Sequence, residues 1–377
     1  MGMAFRAFAP VISDISGNGQ TQTLAIGPVI TRRARASSQG CAATDEDDNF
    51  HAFQKSRCMK RAILVTAQFA VAAGAFWLIW RKVDLGAAWA LLSGLSTKLI
   101  VVIFVLIYTQ IAIVAWRLLF VVKAIGKRIS FPACFLTLMS GAFAGQTPAG
   151  LIGGDVARAW YLVRGGLPLR DAATAVTIDR VLGFAALVVI VALTDFPLFF
   201  LVSSTWMRAA IVAISLAAVG AVVAVLALQL LPPSLRRFWF IRWLADLSAL
   251  LGTMLRHRRD CAAVMVLGFS GHFLSVGAIY LLLVGFGASL TVPQSIVLTA
   301  FPLLLSLLPI SVGGWGVREG SLIAAFTLVG VPAEVTLAAS ITFGVILLAS
   351  SLPGGLVLMN AVPTREAKTK NSSAPCP

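Results

Sequence analysis

The sequence predicts an all-α integral membrane protein, with six full transmembrane spans and two re-entrant helical hairpins arranged as an inverted repeat. Three observations carry that prediction. Hydrophobic residues fill 59% of the 377 positions and charged ones only 12%, with a mean hydropathy of +0.91, whereas soluble domains are about 45–50% apolar and about 25% charged. Six apolar runs are close to or longer than the ~20 residues that cross a bilayer as a helix. Two further apolar regions are interrupted by proline and glycine at corresponding points and share a motif.

Taken in order, the first sixty residues are rich in Gly, Ser, Thr and Gln, with a basic cluster (Arg32, Arg33, Arg35) and an acidic one (Asp45 to Asp48). Residues 1–58 are read as disordered, or as an extension upstream of a true translation start at Met59, where Met59-Lys60-Arg61 leads straight into an apolar run. The full spans are expected at Ala62–Trp80, Leu99–Val122, Ala172–Leu193, Ala209–Leu231, Cys261–Phe286 and Val335–Met359. The first exceeds the roughly 7–15-residue apolar region of a cleaved signal peptide and is expected to stay as a span. Residues 59–360 then form one transmembrane domain, and 361–377 a disordered cytoplasmic tail.

The broken regions are Phe131–Val163 and Pro293–Val329. One is interrupted by Gln146-Thr147-Pro148-Ala149-Gly150-Leu151-Ile152-Gly153-Gly154, the other by Pro309-Ile310-Ser311-Val312-Gly313-Gly314. Backbone groups freed at such breaks cannot face lipid, so the breaks belong inside protein or against a polar cavity. Re-entrant hairpins meet that requirement; two pairs of short spans with glycine-rich surface turns are the alternative, and both leave an even number of crossings. Gly153-Gly154-Asp155-Val156-Ala157-Arg158 matches Gly313-Gly314-Trp315-Gly316-Val317-Arg318, and Gly166-Leu167-Pro168 echoes Gly330-Val331-Pro332.

Basic residues gather before the first span (Lys55, Arg57, Lys60, Arg61), after the second (Lys123, Lys127, Arg128), between Arg236 and Arg259, and in the tail. By the positive-inside rule these lie in the cytoplasm with both termini, so the hairpins enter from opposite faces. Each glycine pair is expected to start a second half-helix, aiming free N–H groups and the positive dipole end at a buried anion, for which a lipid phosphate is the candidate. The net charge of +15 therefore reads as topology, not as a nucleic-acid surface, which would need a basic stripe with exposed stacking aromatics.

An arginine or aspartate at the centre of a span costs about 2.5–3.5 kcal/mol on insertion scales, so each needs a partner or a polar cavity. Asp155 and Arg158, three apart, can pair on one helix face; alternatively Asp155 is an N-cap. Asp179 and Arg180 point about 100° apart on a helix and must find partners elsewhere, among them Arg158, Arg318 or Glu319, which would cross-link the two halves. Arg318-Glu319 poses the same geometry. His272 is read as a hydrogen-bonded packing residue, Arg117 as snorkelling to the interface, and Arg236 to Trp243, mixing base and aromatic, as an interfacial helix. Cys41, Cys58, Cys134, Cys261 and Cys376 are scattered without CxxC spacing, so no metal, disulfide framework or cofactor is expected. No catalytic residue is assigned either, since the DxD-like stretch Asp45-Glu46-Asp47-Asp48 lies in the N-terminal segment and no loop offers a carboxylate pair beside a histidine.

From Pro148 to Pro168 and from Pro309 to Pro332 the chain resembles the flippase-like transmembrane family of the lysylphosphatidylglycerol synthases, over about residues 60 to 360. That family's first signature resembles proline, a glycine pair, aspartate, then arginine, here Pro148, Gly153, Gly154, Asp155 and Arg158, followed by an arginine-bearing span, here Arg180. The second resembles a proline-glycine-rich turn ending in glutamate, here Gly313, Gly314, Gly316 and Glu319. There are two departures: Ser311-Val312 stands where many relatives have proline and glycine, and Gly344 stands opposite Arg180 in the repeat. The chain ends near Pro377 without an aminoacyl-transferase domain and is not expected to be a complete synthase. The resemblance implies movement, without a chemical step, of an anionic or modified lipid (aminoacylated, glycosylated or polyprenyl-linked) between leaflets of a bacterial inner membrane. The expected partners are lipids with an anionic headgroup, with a second copy of the chain or a biosynthetic enzyme as further candidates. A membrane-embedded glycosyl- or phospho-transferase and a non-transporting partner of envelope lipid biosynthesis are the alternatives.

Overall fold

The computed structural model describes residues 86, 90–91, 94–147, 150–232, 234, 237–308 and 311–361. Within them the apolar runs form helices: α1 (Thr97–Ala124), α2 (Phe131–Gly145), α3 (Gly150–Arg164), α4 (Leu169–Leu201), α5 (Thr205–Ala227), α6 (Trp239–Arg256), α7 (Arg258–Gly285), α8 (Val292–Ser306), α9 (Val317–Phe326) and α10 (Ala333–Ala361). No strand occurs among the described residues. Five helices, α1, α4, α5 with its 3-10 extension, α7 and α10, are long and apolar enough to cross a membrane. They correspond to five of the six expected spans; the expected span Ala62–Trp80, the N-terminal extension and residues 362–377 lie outside the described residues. Ala361, assigned above to the tail, still belongs to α10.

The interrupted regions fold as two pairs of short helices. At 15 residues each, α2 and α3 are about 22 Å long at ~1.5 Å per residue, short of the ~30 Å hydrocarbon layer; α8 has 15 residues and α9 has 10. Both pairs open in the same way. Ser130 caps α2 by accepting from the Ala133 N–H, with Pro132 in the first turn; Thr291 caps α8 through a reciprocal capping box with Gln294, with Pro293 in the first turn. A hydroxyl satisfies the orphan N–H groups, and the proline sits where it loses no helical bond. Both pairs close on a left-handed glycine and a proline: Gly166 (φ 95°) before Pro168, and Gly330 (φ 78°) before Pro332. Each proline is followed at once by a long helix, α4 or α10.

Two apolar clusters mark the ends of the bundle. One joins the C-terminal end of α1 (Val121, Val122), the start of α2 (Cys134), the end of α3 (Leu162), the first half of α4, the inner face of α6 and the start of α7 (Val264). The other joins the start of α1 (Ile103), the end of α4 (Leu198), the end of α7 (Leu283), the end of α9 (Phe326) and the first half of α10. The open ends of the α2/α3 pair thus sit in one cluster, and Leu298 of α8 with the end of α9 in the other. The turns of the pairs adjoin: a side chain at Gly313 would meet Gln146 Oε1 at 3.1 Å. Next to them α10 crosses α2 so closely that Gly354 has no room for a side chain against the Met139 backbone.

α6 is the helix expected near Arg236 to Trp243; it begins at Trp239 and runs for 18 residues. It buries Ala245, Leu247, Ser248, Leu251 and Met254 and leaves Trp239 and Phe240 exposed. Trp243 Nε1 donates to Thr174 Oγ1 at 2.9 Å, and Ser248 Oγ donates to the Leu226 carbonyl at 2.9 Å, which ties it to α4 and α5.

Candidate functional site

Five charged side chains from α1, α3 and α4 meet: Arg117, Asp179 and Arg158 are largely buried, and Asp155 and Arg180 are about a third exposed. Arg117 Nε donates to Asp179 Oδ1 at 2.8 Å, and the two residues are 6% and 1% exposed. The other carboxylate oxygen, Asp179 Oδ2, lies 3.7 Å from Arg158 Nη1. Arg180 Nε donates to Asp155 Oδ1 at 2.6 Å, across from α4 to α3. Three guanidiniums face two carboxylates, leaving one positive charge unbalanced. The unbalanced group has an address: Arg158 Nε is enclosed by protein and has no hydrogen-bond partner, an unsatisfied donor on a buried cation that is costly unless something fills it.

Glycines make room for this cluster. A side chain at Gly141 would collide with the Arg158 stem, and one at Gly183 would meet Arg117 Nη2 at 3.0 Å. Gly154 lies against the Gly141 carbonyl, 2.8 Å from where its own Cβ would stand, so α2 and α3 touch backbone to backbone. His272 Nε2 pairs with the Gly183 carbonyl at 2.9 Å, the packing role expected for it.

A second cluster sits at the start of α9. Glu319 is fully buried and Arg318 is 5% exposed. Glu319 Oε2 accepts from the Gly316 N–H at 2.6 Å, and Oε1 accepts from Arg318 Nη2 at 2.6 Å and from Ser340 Oγ at 3.1 Å. The Arg318 guanidinium also donates to the Ser340 hydroxyl and carbonyl and lies 5.0 Å from the Trp315 ring and 5.6 Å from the Phe343 ring. The preceding turn holds Gly313 and Gly314 at φ 60° and 80°, a region that L side chains enter only with strain. Gly344 has no side chain because Arg318 and Trp315 occupy its space.

Several expectations are corrected. Gly153 and Gly154 do not start a half-helix: α3 begins at Gly150, so the pair lies a turn inside, where Gly154 serves close helix contact. Asp155 is therefore not an N-cap, and it pairs with Arg180 and not with Arg158, because α4 presents a guanidinium at shorter range. Asp179 does find Arg158, but neither Asp179 nor Arg180 bonds to Arg318 or Glu319; the charged groups close two separate clusters. The neighbours Arg318 and Glu319 do satisfy each other, since a first-turn glutamate folds back to cap its own helix and the long arginine curls over it. Arg117 does not snorkel; it is buried against Asp179. Pro148 lies outside the described residues. Sequence reasoning missed Arg117 and Ser340 as cluster members; the signal available for Arg117 was its place in an apolar run that also had to neutralise Asp179.

The profile of the family described as lysylphosphatidylglycerol synthase TM region matches residues 65–354. The chain is also similar to a UPF0104 membrane protein of Methanothermobacter thermautotrophicus, 27% identical over 327 residues that span 77% of this chain and 90% of that protein. With the five spanning-length helices, these similarities make the chain a multi-pass integral membrane protein.

Proposed function

The chain belongs to the lysylphosphatidylglycerol synthase transmembrane-region family, and from that premise we propose that it is a lipid translocase that moves an anionic or modified lipid between leaflets without a chemical step. The observation that carries this reading is the surplus positive charge on α1, α3 and α4, with Arg158 Nε enclosed and unpartnered. A phosphate oxygen is the group that would satisfy that donor and balance the charge, because a guanidinium and a phosphate form charge-assisted bonds about twice as strong as neutral ones.

In this reading Ala62–Trp80 supplies a sixth span and the two short pairs are re-entrant hairpins of an inverted repeat. Support comes from their matching caps and closures, from the opposite apolar clusters that hold their open ends, and from their adjoining turns. The end holding the start of α2 carries Lys123, Lys127, Arg128, Arg256, Arg258 and Arg259, whereas the other end has Lys98 and Arg208 against Glu334. That asymmetry supports, in this reading, a cytoplasmic position for the basic end and both termini, with the protein in the cytoplasmic membrane.

The test is transport in reconstituted vesicles. Arg158→Gln, folded as judged by its melting, is expected to lose movement of fluorescent phosphatidylglycerol between leaflets by at least tenfold. Wild-type rates in that variant would remove Arg158 from the translocation route and with it the reading.

A further inference from the structure

The two hairpin arginines are treated differently, and the difference is legible position by position. Arg158 and Arg318 occupy the same place in the repeated motif. Counted from Pro168 and Pro332, Asp179 corresponds to Phe343 and Arg180 to Gly344. In the first half, α4 brings a carboxylate to its hairpin arginine. In the second, α10 brings an aromatic ring and an empty position, and the anion comes from the residue next to the arginine, Glu319, whose first-half counterpart is Ala159.

The groups that hold Glu319 are those that would hold a phosphate. They are a backbone N–H at a helix start (Gly316), a buried guanidinium (Arg318) and a hydroxyl (Ser340), all within 3.1 Å of its two carboxylate oxygens. A helix N-terminus with free N–H groups and an arginine favours any anion that reaches it. Here the occupant is tethered, so its effective concentration is far above that of a membrane lipid. The second cluster is charge-neutral, with both Glu319 oxygens bonded, while the first retains a cationic donor with nothing on it.

We propose that the Glu319 carboxylate is a tethered substitute for a phosphate-bearing anion, filling a second, latent anion pocket built from Gly316, Arg318 and Ser340. The first hairpin takes one such anion once the enclosed Arg158 donor is uncovered, and Glu319 must swing off Arg318 before the second hairpin can hold another. This rests on the reading of Arg158 as an anion site, but it makes a separate claim about the other hairpin. A pocket blocked by its own residue limits the protein to one bound headgroup at a time, as a carrier that hands its cargo from one hairpin to the other requires.

Native mass spectrometry of the purified full chain in detergent counts retained lipids directly. Phosphatidylglycerol is titrated against diacylglycerol, which has the same tails and no phosphate, and inorganic phosphate is added as competitor in a parallel arm. Wild type is expected to retain one phosphatidylglycerol above the diacylglycerol background, and Arg158→Gln none. Glu319→Gln keeps an acceptor for the Gly316 N–H but loses the charge; it is expected to retain one more lipid than wild type, and that extra lipid disappears in Glu319→Gln/Arg318→Gln. Competition by inorganic phosphate would mark the pocket as open to the free ion; its absence would mark the lipid as the ligand. The same count in wild type and in folded Glu319→Gln, or an extra lipid that survives loss of Arg318, overturns the proposal. If Glu319→Gln does not fold, Ser340→Ala decides: it loosens the latch and must admit the extra lipid at higher phosphatidylglycerol concentration, and an unchanged count there overturns the proposal too. If wild type retains no lipid at Arg158, the first-hairpin reading fails alone, because the gain in Glu319→Gln is scored against wild type.

Discussion

Asp179→Asn leaves Arg117 and Arg158 buried without the carboxylate that both face. Breaking a buried ion pair by removing one member costs about 3–5 kcal/mol, because the remaining charge cannot be rehydrated. Arg117→Met is expected to cost less, since Asp179 keeps Arg158 at 3.7 Å and the methionine refills much of the arginine's volume. Thermal unfolding in detergent should therefore rank wild type above Arg117→Met above Asp179→Asn; the reverse order of the two variants would show that Arg117, not Asp179, organises the cluster. At this scale the sequence told which residues needed partners and not which partners they had. Adjacent residues on one helix turn cannot meet in mid-helix, and that excluded an Asp179–Arg180 pair correctly. It misjudged Arg318 and Glu319 because a first-turn glutamate bends back onto its own N-terminus, freeing the pair from the mid-helix rule.

The α2/α3 pair is held by glycines chosen for absence of volume. Gly154 packs on the Gly141 carbonyl, and Gly354 of α10 packs on the Met139 backbone of α2, in the manner of small residues that let membrane helices approach closely. Gly354→Ala is expected to destabilise by about 1–3 kcal/mol through overpacking and to lower the melting midpoint by several degrees, whereas Gly220→Ala on α5, with open space around it, should leave the midpoint unchanged or slightly raised. Equal melting of the two variants would mean that the α2–α10 contact relaxes freely. The existence of these elements could be read from hydropathy and from proline and glycine positions. Which glycine served a turn and which a contact could not, because Gly153-Gly154 and Gly313-Gly314 look alike as text yet lie inside α3 and in a left-handed turn respectively.

For the molecule as a whole, the adjoining hairpin turns give a distance that can be tested. With the native cysteines replaced, Gln146→Cys and Ser311→Cys should be joined in high yield by a short bismaleimide in native membranes, and Gln146→Cys with Lys98→Cys, placed at the start of α1, should not. Comparable yields for both pairs would dissolve the meeting of the two turns on which the proposed shared route depends. The sequence by itself determined the solvent, the class and the order of elements: hydropathy and helix length are sums over neighbouring residues, and a bilayer imposes them locally. The matching glycine and proline positions of the two broken regions, too, were there in the text. Only the tertiary structure decided how the charges divide, two carboxylates shared among three arginines in one cluster and a closed Arg318–Glu319 pair in the other. A buried charge takes whichever counterion folding brings within a few ångströms, and Coulomb energy in a poorly screened interior depends on that separation and on nothing that chain order encodes.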